Sequence, residues 1–285
     1  MSADPQAQLD ARDADIVALR QELDETNKGV VALYAELDDK AAALREATEL
    51  KSRFLSYMSH EFRTPLTSMT SITGILLAKL DGPLTPEQQK QLEFIRGSVR
   101  ELTEMVNDLL DLAKVEAGRI TISPEWFEMV DLFAALRGMF KPIVASTAVS
   151  LVFDEPEGEI QMYTDDKKLS QILRNFISNA LKFTPVGEVR VSARVLDEQM
   201  VEFAVTDTGI GIAAEHLPNL FADFVQLDVR IQKRLRGSGL GLSLARKFAD
   251  LLSGSVSVTS ELGKGSRFSV VLPMRLDGAT EKVMA

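Results

Sequence analysis

Residues 9–58 place an apolar side chain at every seventh position: Leu9, Ile16, Leu23, Val30, Leu37 and Leu44, then, past Lys51, Met58. The companion series reads Arg12, Leu19, Thr26, Leu33, Lys40, Ala47 and Phe54, so seven of eight positions in the first series and four of seven in the second are apolar. A heptad repeat of this kind winds helices around one another along a narrow apolar seam. One helix cannot cover that seam with its own atoms. A partner helix is expected, most simply from a second copy of the chain; a solvated charged helix without a partner is the alternative.

After Met58 the register changes. Phe54, Met58, Phe62, Leu66, Met69, Ile72 and Leu76 begin with steps of four, a stutter that locally unwinds a coiled coil. His60 and Glu61 fall at this shift and off the stripe, so His60 is expected to face solvent. Pro65 removes one helical hydrogen bond and favours a kink. The helix is expected to end near Asp81-Gly82-Pro83. Thr85-Pro86-Glu87-Gln88 then reads as a helix start, with Thr85 as N-cap and Gln88 three residues on. Leu92, Ile95, Val99, Leu102, Val106, Leu109 and Ala113 form its seam, and Gly118 its C-cap. Residues 51–118 are therefore predicted as a helical hairpin. Two such helices bury too little alone, so a dimeric four-helix bundle is expected.

From Ile120 the pattern turns to short β-like runs at 149–153, 189–195, 201–206, 255–259 and 267–272. Helical stretches lie near 129–145, 166–182 and 239–252. This mixture predicts an α/β sandwich of about 150 residues. Trp126, after Ser123-Pro124-Glu125, is expected to be a packing anchor where that domain begins. The organisation expected is a coiled-coil segment 1–50, the hairpin 51–118, a hinge 119–124, the α/β domain 125–275 and a loose tail 276–285.

Several functions are disfavoured. The net charge is −10, with 12 acidic and 5 basic residues in the first 50, which argues against nucleic acid as a partner. With Cys 0 there is no disulfide framework, thiolate metal site or cysteine nucleophile, as fits a reducing compartment. Apolar runs are only a few residues long, against about 20 for a membrane span. No secretory signal is visible after Met1. A cytoplasmic protein is expected.

Four clusters carry chemistry. In Ser59-His60-Glu61-Phe62-Arg63-Thr64-Pro65-Leu66, an exposed imidazole beside a carboxylate suits a nucleophile whose second ring nitrogen is held by an acceptor. Alone, the motif is weak, since an isolated His-Glu on a helix is more often an exposed polar pair. Asn175 and Asn179 share a helix face, and two amide oxygens suit Mg²⁺, with Lys182 one turn on for a phosphate; a plain polar face fits as well. Asp207-Thr208-Gly209-Ile210-Gly211-Ile212 follows a strand, so its carboxylate can accept from an adenine amine while the glycines let backbone approach; an ordinary turn is the alternative. Gly237-Ser238-Gly239-Leu240-Gly241-Leu242 opens a helix and suits an anion, although it is no Walker A loop.

Taken in order, these clusters resemble a bacterial two-component sensor histidine kinase over residues 51–273. The H box matches at 59–66, the N box at 175–184, the G1 box at 207–212, the F box at 221–224, the G2 box at 237–242 and the terminal Gly-Ser strand motif at 263–268. The F box departs from Phe-x-Pro-Phe, with Asp223 at the Pro position, which bears on the lid rather than the chemistry. The resemblance implies an α+β chain: a coiled coil and dimeric hairpin, then an ATP-binding domain of the GHKL type. It implies His60 as phospho-acceptor with Glu61 as its base, and Thr64 in a regulator-phosphatase activity. It implies Mg²⁺ on Asn175 and Asn179, phosphate on Lys182, and adenine at Asp207 with Gly209, Gly211, Phe183 and Ile212. Gly237, Gly239, Leu240, Gly241 and Ser266 complete the nucleotide site. A lid over about 222–236 would offer Arg230, Lys233, Arg234 and Arg236. His216 is expected to be merely exposed. The implied partners are a second copy, a response regulator's receiver domain, and an upstream sensor protein or domain. A non-kinase GHKL ATPase would lack the His-bearing hairpin. A catalytically silent scaffold is the other rival.

Overall fold

The computed structural model describes residues 5–80, 82–145, 148–155, 158, 160–196, 199–225 and 239–276, with side chains from residue 19 on apart from Ser52, Ser56 and Ser59. It divides into two compact units, Met1–Phe54 and Leu55–Ala285. Helix α1 (Pro5–Leu77) supplies the first unit and opens the second. In the first unit the heptad residues Leu19, Leu23, Val30, Leu33, Leu37 and Leu44 are between 44% and 70% exposed, so the seam is uncovered in a single chain. Leu9 and Ile16 lie outside the described side chains. Acid-before-base pairs four residues apart, Asp24–Lys28 and Glu36–Lys40, each close at 2.7 Å on the helix surface.

In the second unit the rest of α1, with Pro65 inside it, is followed by α2 (Pro86–Glu116). Helix α1 stops at Leu77, short of the expected Asp81: Lys79 takes a left-handed φ of 57° and its N–H turns back to Leu76 O at 3.0 Å. Helix α2 begins as its sequence dictates. Gln88 N donates to Thr85 Oγ1 at 3.2 Å, and Thr85 N donates to Gln88 Oε1 at 2.9 Å. It ends with Gly118 at φ 63°, where Gly118 N–H reaches Val115 O and Arg119 N–H reaches Lys114 O, at 2.9 and 2.8 Å. That pair of bonds satisfies the last carbonyls of the helix. Leu66 and Val99 are buried, whereas Phe62, Met69, Ile72, Ile95 and Leu102 remain exposed in one chain.

Strand β1 (Glu125–Glu128) and helix α3 (Met129–Val144) begin the α/β domain. Then come β2 (Ala148–Phe153), β3 (Gln161–Thr164), α4 (Asp166–Phe183), β4 (Val186–Val195) and β5 (Met200–Asp207). A 3₁₀ turn (Ala214–Asn219), α5 (Gly241–Leu251), β6 (Ser255–Glu261) and β7 (Gly265–Pro273) complete it. The main sheet has the order β2-β4-β5-β7-β6. Within this sheet β2 and β4 pair in parallel, and their connection runs through α4, as parallel neighbours require. Alternate strand residues such as Val201, Phe203 and Val205 face α3, α4 and α5 and are wholly buried. Each fully buried Leu or Phe here contributes roughly 1.5–3 kcal/mol.

The small sheet β1–β3 was not expected. Trp126 lies there, 61% exposed, with its ring 5.3 Å from that of Tyr163. It is thus half of a surface aromatic pair, not the packing anchor expected: strand alternation turns its ring away from the core while Phe127 faces inward. The buried Asp165 caps α4 by accepting from Lys168 N and also accepts from Ser123 N, both at 3.0 Å. That second bond fastens the segment between hairpin and α/β domain. The tail from residue 277 lies outside the described residues.

Candidate functional site

Helix α1 presents His60 on a bare surface. Its side chain is 75% exposed, and Nδ1 lies 3.4 Å from Glu61 Oε1. When Glu61 holds the Nδ1 proton, the neutral ring keeps its lone pair on Nε2, the nitrogen turned away from the carboxylate. Pro65 has no N–H for Glu61 O, four residues back, so the helical ladder is interrupted within a turn of His60. Thr64 Oγ1 donates to His60 O at 3.4 Å, at the long end of the range for a hydroxyl bond. The Ser59 side chain lies outside the described residues.

A second group of residues meets where β5, α4 and α5 converge. Asp207 ends β5 and is buried. Its Oδ1 accepts from Gly209 N at 2.8 Å and Ser266 N at 3.3 Å. Burial raises the carboxyl above its ordinary value, opposed by those two N–H groups and by the nearby Thr184 hydroxyl. Thr184 Oγ1 misses hydrogen-bond geometry, so it is a buried polar atom without a partner among the described residues. A buried carboxylate and an unspent hydroxyl side by side are what a base edge rich in hydrogen-bonding groups needs.

The 207–212 turn is shaped by close approach. A Cβ on Gly209 would strike Phe183 O and Asp207 Oδ1; on Gly211, at φ 67°, it would strike Glu261 O. Ile210 N–H donates to Phe183 O at 3.1 Å, and Ile212 N–H to Ser260 Oγ at 2.8 Å. These bonds tie the turn to the end of α4 and to β6.

On α4 the apolar side (Leu169, Ile172, Leu173, Phe176, Ile177) is buried, leaving Asn175, Asn179 and Lys182 half-buried along another side. Asn175 Nδ2 donates to Gly241 O at 2.8 Å, which leaves its Oδ1 as an acceptor beside the first turn of α5. The Asn179 side chain has no hydrogen-bond partner among the described residues. Burial lowers the Lys182 pKa, and Glu101 on α2 acts in the opposite direction. Gly239 (φ 71°), buried Leu240 and Gly241 form the start of α5, where no side chain caps the helix N–H groups. Hence Phe183, Asp207, Gly209, Gly211, Ile212 and Ser266 are joined around the 207–212 turn, and Asn175 and Gly241 are joined at the start of α5, with Asn179, Lys182, Gly239 and Leu240 on the same elements. Gly237 and the lid residues Arg230, Lys233, Arg234 and Arg236 lie outside the described residues. His60, Glu61 and Thr64 make no hydrogen bond or ion pair to either group among the described residues.

Two features escaped the sequence. Asp223, at the position of the missing Pro, pairs with Lys247 of α5 at 3.1 Å, and Lys247 also lies 3.7 Å from Glu116 of α2. The 221–224 segment, α5 and the hairpin helix α2 therefore share one lysine. Gln171 adds a bond to Asp111 of α2 at 3.0 Å. Ser260 is the other, legible only once the strand register is known. His216 is partly exposed on the 3₁₀ turn, 3.6 Å from Glu215, as expected of a surface residue.

Residues 50–118 match the His Kinase A (phospho-acceptor) domain, and residues 164–276 the histidine kinase-, DNA gyrase B- and HSP90-like ATPase family. Among curated relatives, the autoinducer 2 sensor kinase/phosphatase LuxQ of Vibrio parahaemolyticus is 35% identical over 82% of this chain and 28% of its own length. The circadian input-output histidine kinase CikA of Thermosynechococcus vestitus is 39% identical over 83% of this chain and 33% of its own. The histidine protein kinase DivJ of Caulobacter vibrioides is 38% identical over 79% and 38%. The chain thus spans about a third of the length of these relatives. Full-length ShkA in complex with AMPPNP superposes with a TM-score of 0.63 at 32% identity, covering 77% of this chain and 45% of that one.

Proposed function

Because the chain belongs to the sensor histidine kinase family, with a phospho-acceptor domain followed by a GHKL-type ATPase domain, we propose that it is an ATP-dependent protein-histidine kinase. It moves the γ-phosphoryl group of ATP to His60 and passes it to an aspartate on a response regulator. The observation that carries this reading is the exposed His60–Glu61 pair in the same chain as the Asp207 pocket.

In the first step the Nε2 lone pair of His60 attacks the γ-phosphorus, and the bond from that phosphorus to the bridging oxygen of ADP breaks. The Nδ1 proton passes to Glu61 as the ring becomes cationic, help worth typically about 10²–10⁴-fold. Such transfers depend mainly on positioning and charge neutralisation. Asp207 accepts from the adenine amine. Lys182, whose charge burial already disfavours, gains from a phosphate beside it. The amide oxygens of Asn175 and Asn179 suit Mg²⁺, a hard cation that takes oxygen ligands. When bound, it neutralises phosphate charge. The open starting turn of α5 and Gly237, Gly239 and Gly241 line the phosphates.

The working form is a homodimer. Its hairpins cover the apolar residues left exposed in one chain, and the N-terminal heptad carries a signal from an upstream protein or domain. No described helix is long and apolar enough to cross a membrane. Use of ATP and a receiver domain puts the chain in the cytoplasm. Incubation with ATP labelled on the γ-phosphate tests the reading. Label on the protein that is lost in acid and kept in base is expected; acid-stable label or none would overturn it.

The regulator is also dephosphorylated, with Thr64 positioning the attacking water. Its hydroxyl makes only a long bond to His60 O, so it is available for that task. Thr64→Ala should leave autophosphorylation nearly unchanged and slow phosphate release from a phosphorylated receiver domain by on the order of 10². Wild-type release by this variant would make Thr64 purely structural.

A further inference from the structure

We propose that Ser260 is a positioning residue of the adenine pocket: it fixes the 207–212 turn and sets the direction of the Ser266 hydroxyl, so that the Asp207–Ser266 row offers the base only hydrogen-bond acceptors. This rests on the nucleotide site argued above.

Asp207, Ser266 and Ser260 are direct cross-strand neighbours on β5, β7 and β6. Opposed residues point to the same face, so the three side chains form one row. Ser260 Oγ has three neighbours' demands to meet and one proton. Gly265 O, at 2.9 Å, is a carbonyl and can only accept, so it takes the Ser260 proton. Ile212 N–H, at 2.8 Å, can only donate and fills one lone pair. The remaining contact, Ser260 Oγ to Ser266 Oγ at 3.0 Å, must then be donated by Ser266. Ser260 is saturated, and Ser266 has spent its proton.

The consequence lies one residue along the row. Ser266 retains lone pairs only, beside an Asp207 carboxylate that is acceptor-only when ionised. Adenine carries an amine donor where guanine carries a carbonyl acceptor. A row of acceptors binds the first and repels the second. Ser260 touches no base in this account; it acts through Ser266 and through Ile212. The β6–β7 turn strengthens the hold, because Gly263 N–H donates to Ile210 O at 2.7 Å. A similar hydroxyl pair, Ser257 and Ser269 at 2.8 Å, lies three residues away on the same two strands, hence on the opposite face, and supplies a control.

The test measures calorimetric affinity for non-hydrolysable ATP and GTP analogues with Mg²⁺, together with amide hydrogen exchange at Ile212. Ser260→Ala should bind the ATP analogue about tenfold more weakly, since the part-buried Ile212 N–H loses its acceptor. Its preference for ATP over GTP should shrink, because the freed Ser266 hydroxyl can turn and donate to guanine. Exchange at Ile212 should quicken. Ser260→Thr should restore all three, and Ser257→Ala should behave as the native chain. Should Ser260→Ala not fold, Ser260→Cys, of similar size but a poor acceptor, carries the same comparison. Native affinity and native base preference in a folded Ser260→Ala chain would overturn the proposal while leaving the nucleotide site intact. Failure of the native chain to bind the ATP analogue would instead remove the nucleotide reading, and this proposal with it.

Discussion

The His60→Gln chain is expected to bind an adenine nucleotide as the native chain does and to take up no phosphoryl group. His60 is 75% exposed and makes one long contact, to the neighbouring Glu61. Replacing so exposed a side chain changes stability by no more than about 0.5 kcal/mol. The pocket around Asp207 shares no hydrogen bond with it among the described residues. What is lost is the ring nitrogen that bonds to phosphorus, and a glutamine amide has no comparable lone pair. Removing a nucleophile costs several orders of magnitude, here on the order of 10³-fold or more. The check pairs calorimetry on a non-hydrolysable ATP analogue with label uptake from ATP. Equal binding with no uptake is the expected result; undiminished uptake would assign the phosphoryl group elsewhere.

Asp207→Asn should lose nucleotide affinity while keeping its fold. Gly209 N–H and Ser266 N–H both point at Oδ1, so an asparagine must keep its oxygen there. Its NH₂ then occupies the place of the second carboxylate oxygen, and a donor faces the adenine amine, itself a donor. Losing a hydrogen bond to a charged acceptor is worth roughly 1.5–3 kcal/mol, or about 10- to 100-fold in affinity. The pH dependence has a definite sign. Burial raises the folded-state pKa of Asp207 above its ordinary 3.8. Adenine affinity in the native chain, which needs the carboxylate, should therefore begin to fall at a higher pH than an ordinary aspartate would dictate as the solution is acidified. In the free chain a raised folded pKa contributes stability that is complete below the unfolded value and lost as pH rises through the folded one. Asp207→Asn removes that loss, so the free variant should melt no lower than the native chain at neutral pH. A native affinity for the variant would move adenine recognition to other residues.

Much of this was legible from residue pattern because local physics and fold agree. Thr85-Pro86-Glu87-Gln88 specified its own capping box, and Gly118 its own left-handed stop. The five strands of the main sheet announced themselves by β-branched alternation. The small sheet did not: each of its strands has four residues, too short to establish a period. Nor did the end of α1, since a left-handed Lys79 has no sequence mark of the kind a glycine gives. The glycine positions near Asp207 were readable, but not the reason for them, which is the approach of Glu261 O and Phe183 O from distant segments. Ser260 and Lys247 were invisible for the same cause. Their partners lie across a strand register or on another helix, at sequence separations that no local pattern encodes.

The most direct measurement is to locate the phosphoryl group after the native chain has been incubated with ATP and Mg²⁺, by fragment-ion mass spectrometry on peptides kept at neutral to alkaline pH. The phosphoryl mass is expected on His60, and it is expected to disappear after brief acid treatment. An acid-stable phosphoryl group on Ser59 or Thr64, or an unmodified His60 in a chain that consumes ATP, would contradict it.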